Sequence, residues 1–207
     1  MEIELKYLVD EDFTRDRFFN DSHLKKMSDE ETMETIDMKA VYYDTDDCDM
    51  LKKEIAFRIR HEGERPVATL KWGGGAENGL HARGELNVTV DEAFCREPRA
   101  NIFAGSEVYE MIGEDAGQKL LHPVMEMSFV RKQVRLDTGK SICVMSYDEG
   151  EICTINGSAP ISELEIELYS GDMDDMVELG RELAQKYNLQ PCDVSKYQRG
   201  LELLGLA

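Results

Sequence analysis

Glu2-Ile3-Glu4-Leu5-Lys6-Tyr7 alternates polar and apolar residues at every step. A period of two is that of a β-strand, whose successive side chains point to opposite faces. Glu2, Glu4 and Lys6 therefore share one face, and Ile3, Leu5 and Tyr7 the other. The same alternation returns in Phe57-Arg58-Ile59-Arg60, Thr69-Leu70-Lys71, Arg83-Gly84-Glu85-Leu86-Asn87, Phe129-Val130-Arg131-Lys132-Gln133-Val134-Arg135 and Ser162-Glu163-Leu164-Glu165-Ile166-Glu167-Leu168. Extending this reading predicts strands near 2–9, 38–44, 55–61, 66–72, 82–89, 126–136, 141–148 and 161–169. Helices are predicted near 11–20, 22–27, 46–52, 105–120, 173–187 and 195–203. Acidic residues lead the 173–187 segment, and Met173, Met176, Val177, Leu179, Leu183 and Ala184 give it an apolar stripe. The glycines of residues 72–79 read as a hairpin connection, because no Gly-Lys-Ser/Thr follows and no helix opens there.

An antiparallel sheet with one face in water would also carry charge on that face. It would not sort the charge by sign. Here two arginines share one strand face and three glutamates another, and like charges at neighbouring same-face positions repel. A divalent cation would compensate the carboxylates, and a polyphosphate the arginines. About eight strands also leave edges that closure removes. The predicted architecture is therefore α+β: a closed eight-stranded antiparallel β-barrel, charged and hydrated inside, with helices packed outside. Such a barrel is wide enough for one small ligand.

The bulk composition narrows the partners. The chain has 207 residues, enough for one domain over 1–207 with a real core. Its 43 acidic residues against 24 basic ones give a net charge of −19. A surface that acidic repels nucleic acid and anionic membrane, so neither is expected as a partner. No apolar run approaches the ~20 residues of a membrane span. The five scattered cysteines suit a reduced compartment, and the chain opens on a charged strand rather than a secretory leader. Both features predict a cytoplasmic protein; a monomer or homodimer is expected.

The ordered series of these motifs resembles the CYTH superfamily, the triphosphate tunnel metalloenzymes. Glu2-x-Glu4-x-Lys6 resembles its N-terminal signature, and Tyr42-Tyr43-Asp44-Thr45 its second strand. Phe57-Arg58-Ile59-Arg60, Thr69-Leu70-Lys71 and Arg83-x-Glu85 resemble its arginine, lysine and basic-acidic strands. Asp148-Glu149-Gly150, Glu163-x-Glu165-x-Glu167 and Ser195-Lys196-Tyr197 resemble its late motifs. The resemblance implies metal-dependent hydrolysis of the terminal phosphate of inorganic or nucleoside triphosphate. It assigns catalysis to Glu2, Glu4 and Lys6. Phosphate binding falls to Lys6, Arg58, Arg60, Lys71, Arg83, Lys196 and to Arg131 or Arg135, which share a parity. Metal ligation falls to Glu2, Glu4, Glu85, Asp148 and the late glutamates, with Glu165 and Glu167 preferred and Glu163 close behind. All-oxygen ligation implies Mg²⁺ or Mn²⁺. The chain departs from the family pattern at Asn87, where a second acid often follows Glu85. An adenylate cyclase, a thiamine triphosphatase using Trp72, and a non-catalytic polyphosphate or nucleotide sensor are the alternatives. His23, His61, His81 and His122 read as surface or structural, Met127 and Phe129 as packing, and Asp44 as a cap or a support of the site.

Overall fold

The computed structural model describes residues 1–10 and 16–207. Eight antiparallel strands are β1 (Glu2–Leu8), β2 (Ser28–Asp44), β3 (Ile55–Glu62), β4 (Arg65–Glu77), β5 (Leu80–Thr89), β6 (His122–Asp137), β7 (Ser141–Thr154) and β8 (Gly157–Gly171). They follow the order β5-β4-β3-β2-β6-β7-β8-β1, and β1 then pairs with β5 to close the barrel. On one side of β1, Glu2 faces Arg83 and Glu4 faces His81. On the other, Glu4, Lys6 and Leu8 face Glu167, Glu165 and Glu163. Directly opposite residues share a face, so the even positions of β1 and the odd positions of β5 and β8 all enter the lumen. A short β9 (Gln190–Pro191) continues the pairing beside Tyr7 and Leu8, past the first residue of β5.

The odd residues of β1 point outward and meet helices α1 (Asp16–Phe19), α2 (Ser22–Met27) and α6 (Met173–Tyr187). Leu5, Tyr7, Met145 and Ile166 pack there with Phe18, Leu24, Met176, Leu179 and Leu183. The helix α6 approaches so closely that a Cβ on Gly180 would lie 2.4 Å from Leu5 Cδ1. A second outer cluster sets Phe57, Ile59 and Leu70 against Phe103 and against Val108, Tyr109 and Ile112 of α4 (Glu107–Ile112). Among the described residues, no helix is long and apolar enough to cross a membrane.

The lumen is not charged throughout, contrary to expectation. Met38, Ala40, Tyr42, Met125, Met127, Phe129, Ile152 and Ile161 form a third cluster, and their register with Arg58 and Asp148 places them on inner faces. Helix α7 (Lys196–Leu204) covers this cluster. Leu201 is buried in it, Tyr197 stacks on Tyr42 at 4.9 Å, and a Cβ on Gly200 would meet Met125 Sδ at 2.3 Å. One end of the barrel is thus plugged by apolar side chains. Exposed Asn87 and Glu167 mark the other end as open. Met127 and Phe129 do pack, as expected.

Other departures have local causes. Strand β2 begins ten residues earlier than apolar alternation suggests; its acidic first half is held by backbone pairing to β6, with an irregularity between Asp29 and Glu34. The helix expected near 46–52 is a turn ending in a single 3₁₀ turn, Leu51–Lys53. Asp44 forces it, because its carboxylate accepts from the backbone N–H groups of Thr45, Met50 and Leu51 at 2.7, 2.9 and 3.0 Å. The helix expected over 105–120 breaks at Gly113, φ 81°, into α4 and α5 (Glu114–Gln118). The glycine connection shrinks to Asn78-Gly79, both left-handed, the pairing of a type I′ turn. The preceding glycines bulge within β4, where a Cβ on Gly74 would strike Ala82 O. Helix α3 (Glu92–Arg96) was not anticipated. Of the helix expected near 11–20, residues 11–15 lie outside the described residues.

Candidate active site

Two groups of charge divide the lumen. At the open end, Lys71 Nζ donates to both Glu2 oxygens at 2.9 Å and lies 2.5 Å from Glu85. Arg83 bridges Glu2 at 2.7 Å and Glu4 at 2.9 Å. These contacts follow from strand parity: Lys71 faces Glu85 across β4–β5, and Arg83 faces Glu2 across β1–β5. Burial would raise the Glu85 carboxyl, but Lys71 brings it down to about 2. Burial lowers the Lys71 ammonium, and Arg58 and Arg83 reinforce that against Glu2 and Glu85. Among the described residues no cation pairs with Glu167, and the more distant Lys71 lowers its carboxyl only weakly. Partial desolvation, then Glu2, Glu4 and Glu85, push its carboxyl up to about 7.

At the plugged end, Asp148, Glu163 and Glu165 are buried. Arg131 holds both Asp148 oxygens at 2.7 Å and Glu165 at 2.7 Å. From α7, Lys196 Nζ reaches Asp148 at 2.9 Å and Glu163 and Glu165 at 2.7 Å. Ser195 positions that lysine by capping α7, accepting from Gln198 N while Gln198 returns to the Ser195 N–H. Burial would depress Arg131 and Lys196, yet the facing carboxylates raise both well above their ordinary values. Lys6 lies between the two groups, 3.5 Å from Glu4 and 3.3 Å from Glu165. Burial opposes its charge, and Glu4 and Glu165 prevail.

Arg58 and Arg60 differ from the other lumen cations. Their Nε atoms are buried without a hydrogen-bond partner. Arg58 reaches Thr69 at 3.4 Å, and Arg60 pairs with Glu62. Arg135 does not join the lumen groups. It is exposed at the rim, its guanidinium 5.6 Å from the Tyr169 ring. Trp72 lies on the outer wall, against Gly84 and the second outer cluster, so it offers no ring to a lumen guest.

One residue of this region escaped the sequence reading. Arg199, one turn beyond Lys196, contacts Glu163 at 2.5 Å; its i+3 spacing on α7 was the available signal. Burial would raise the Tyr42 phenol, but Arg58, Lys71 and Arg83 lower it. His81 is buried on the inner face with Nε2 2.7 Å from the Cys192 carbonyl, a structural tie as expected. Asn87 donates to Glu85 at 2.6 Å and accepts from Thr69 at 2.7 Å. Its amide thus links two side chains that a carboxylate could not link in the same way.

The closed barrel thus encloses carboxylate and basic groups that face one another across its lumen. The chain belongs to the CYTH domain family, which it matches over residues 1–201. It is 30% identical over 164 residues to the inorganic triphosphatase of Haemophilus influenzae. That alignment covers 79% of this chain and 45% of the relative, so the chain spans less than half of that protein's length. A putative adenylyl cyclase from Hippeastrum, described as having a dominant triphosphatase activity, matches with a TM-score of 0.67 at 18% identity over 96% of this chain and 95% of that one. A putative adenylate cyclase from Bacillus halodurans matches with a TM-score of 0.57 at 20% identity over 96% of each. These two are likenesses of fold.

Proposed function

We propose that this chain is a divalent-metal-dependent triphosphatase that releases the terminal phosphate of inorganic or nucleoside triphosphate within the lumen. One observation carries the reading: Arg58 and Arg60 keep buried, unpartnered Nε donors on the same inner surface as Lys6, Lys71, Arg83, Arg131 and Lys196. Planar guanidinium groups suit phosphate oxygens, and a bound polyanion would satisfy donors that are costly to leave bare. The Haemophilus relative supports the same reading.

The oxygen donors at the open end fit a hard cation. Glu2, Glu4, Glu85 and Glu167 line that end, the first three on Lys71 and Arg83, and the raised Glu167 carboxyl marks a site with too little positive charge. These four residues would hold Mg²⁺ or Mn²⁺, which would supply Lewis-acid neutralisation of phosphoryl oxygens. Asp148, Glu163 and Glu165 lie buried at the plugged end among Arg131, Lys196 and Arg199, and in this reading they orient those cations. Water attacks the terminal phosphorus, the bond to the bridging oxygen breaks, and Lys and Arg side chains offset charge on the departing chain. Lys6, within reach of both carboxylate groups, would bring phosphate-binding charge to Glu4.

The test incubates the protein with tripolyphosphate, ATP or thiamine triphosphate and Mg²⁺ or Mn²⁺, measuring phosphate and cyclic AMP. Metal-dependent phosphate release is expected, falling at least ~100-fold in Glu4→Gln while the circular dichroism spectrum and unfolding midpoint persist. Cyclic AMP as the main product from ATP would overturn the reading in favour of a cyclase. Tight tripolyphosphate binding without turnover would favour a sensor.

A further inference from the structure

We propose that His61, Glu92 and Cys95 form a second metal site, on the outer wall of the barrel, that takes Zn²⁺ through sulfur, nitrogen and oxygen donors. The residues converge for reasons visible in the chain. His61 follows Ile55, Phe57 and Ile59 at two-residue steps, so it faces outward with them while Arg58 and Arg60 face inward. After β5, Val90 N–H donates to Pro66 O, which turns the chain over the strand beside His61. Asp91 then caps α3 by accepting from Phe94 N–H at 2.8 Å. Helical spacing of three puts Glu92 and Cys95 on one side of that turn.

The resulting donor atoms, one from each residue, all lie within 4.8 Å of one another. His61 Nε2 and Glu92 Oε1 are 3.3 Å apart, close to the spacing of two ligands on one tetrahedral ion, for which bonds of ~2.0–2.3 Å place neighbouring donors ~3.3–3.8 Å apart. Among the described residues this is the sole group of three or more His, Cys, Asp and Glu side chains whose donor atoms all lie within 4.8 Å of one another. The lumen carboxylates, spread apart on their Lys and Arg partners, do not. The donors also differ in kind. Thiolate and imidazole select Zn²⁺ over the Mg²⁺ or Mn²⁺ suited to all-oxygen ligation. Glu92 is exposed and His61 and Cys95 are half-buried, which gives an ion access and leaves a fourth position to water. Occupancy would pin α3 to β3 outside the lumen.

The full chain, stripped with chelator and kept reduced, is titrated with Co²⁺ in excess Mg²⁺, which fills oxygen-only sites. The expected result is thiolate-to-cobalt charge-transfer absorption that saturates at one ion per chain and is abolished by one equivalent of Zn²⁺. Cys95→Ser should remove the band. His61→Ala and Glu92→Gln should each weaken Co²⁺ binding by more than the ~10–100-fold typical of losing an outer-shell partner. Unchanged urea midpoints without metal would show that the variants fold. Absence of the band, its survival in Cys95→Ser, or indifference to both His61→Ala and Glu92→Gln would each overturn the proposal.

Discussion

Replacing Lys196 with Met is the sharpest test of the plugged end of the lumen. Lys196 Nζ lies 2.7–2.9 Å from three buried carboxylates, and Asp148 and Glu163 are fully enclosed. Methionine keeps most of the apolar stem and removes the charge. Arg131, Arg199 and Lys6 remain but already hold one or more of these acids. Breaking one partner of a buried pair costs about 3–5 kcal/mol, because an uncompensated charge stays behind. At pH 8 that corresponds to a fall of about 2 M in the urea midpoint if the slope is ~2 kcal/mol per molar. The pH dependence distinguishes lost charge from lost packing. In the parent chain Glu165 is held well below its ordinary 4.5, so its contribution is complete above that value and is lost only as pH falls further. In the variant one carboxyl should rise above 4.5, making the folded chain bind a proton that the unfolded chain releases. Its deficit should then shrink between pH 8 and pH 5, by about 1.4 kcal/mol for each pH unit by which the raised pKa exceeds 5. Adding Glu163→Gln should restore part of the loss at pH 8. A deficit below about 1 kcal/mol, or one of equal size at both pH values, would refute the charge argument.

Glu167→Gln should act in the opposite direction. A folded pKa of about 7 against 4.5 means that stability falls as pH rises through that window, so the amide should stabilise the metal-free chain at pH 8. Screening at this exposed position limits the gain to about 1 kcal/mol, and at pH 4 the two proteins should melt together. Asn87→Asp removes the donor to Glu85 and adds a like charge; denaturation should show a loss of about 1 kcal/mol without divalent ions, reduced by millimolar Mg²⁺. Gly150→Ala would place a Cβ 2.1 Å from Ser128 O and 2.5 Å from Phe129 Cα, so β6 and β7 must part. A loss of about 3 kcal/mol in thermal unfolding is expected, and an unchanged melt would contradict the close approach.

The barrel was legible wherever one face of a strand is charged and the other apolar, as in β1, β3, β5 and β8. It was less legible where burial on both faces erased the alternation. Met38, Ala40, Met125 and Met127 look like ordinary outer core in one dimension, and only register shows that they fill the lumen. The acidic start of β2 carries little apolar signal because β6 supplies its backbone partners. Composition could identify late glutamates but not divide them. Glu163 and Glu165 are claimed by a helix about thirty residues further on, whereas Glu167 lies beyond its reach. Likewise, Arg131 and Arg135 share a parity, and only the height of each along the barrel separates an ion-paired arginine from a rim residue.

The closure through β1 also constrains how the molecule can be made. The first strand is completed only when β8 arrives: Ser162 Oγ donates to Val9 O across 153 residues, next to the β1–β8 ladder. On a ribosome, that ladder cannot form until residues 163–167 have emerged. Once β5 is made β1 can pair on that side, but until β8 arrives it keeps one open edge and an apolar face of Ile3, Leu5 and Tyr7. The inward charges of Glu2, Glu4 and Lys6 would oppose premature pairing with another strand, as charge does at exposed sheet edges. Distant pairing of this kind also predicts slow final closure and a nascent barrel that is open along one seam. The residues that later line the lumen would thus first serve as a guard against aggregation.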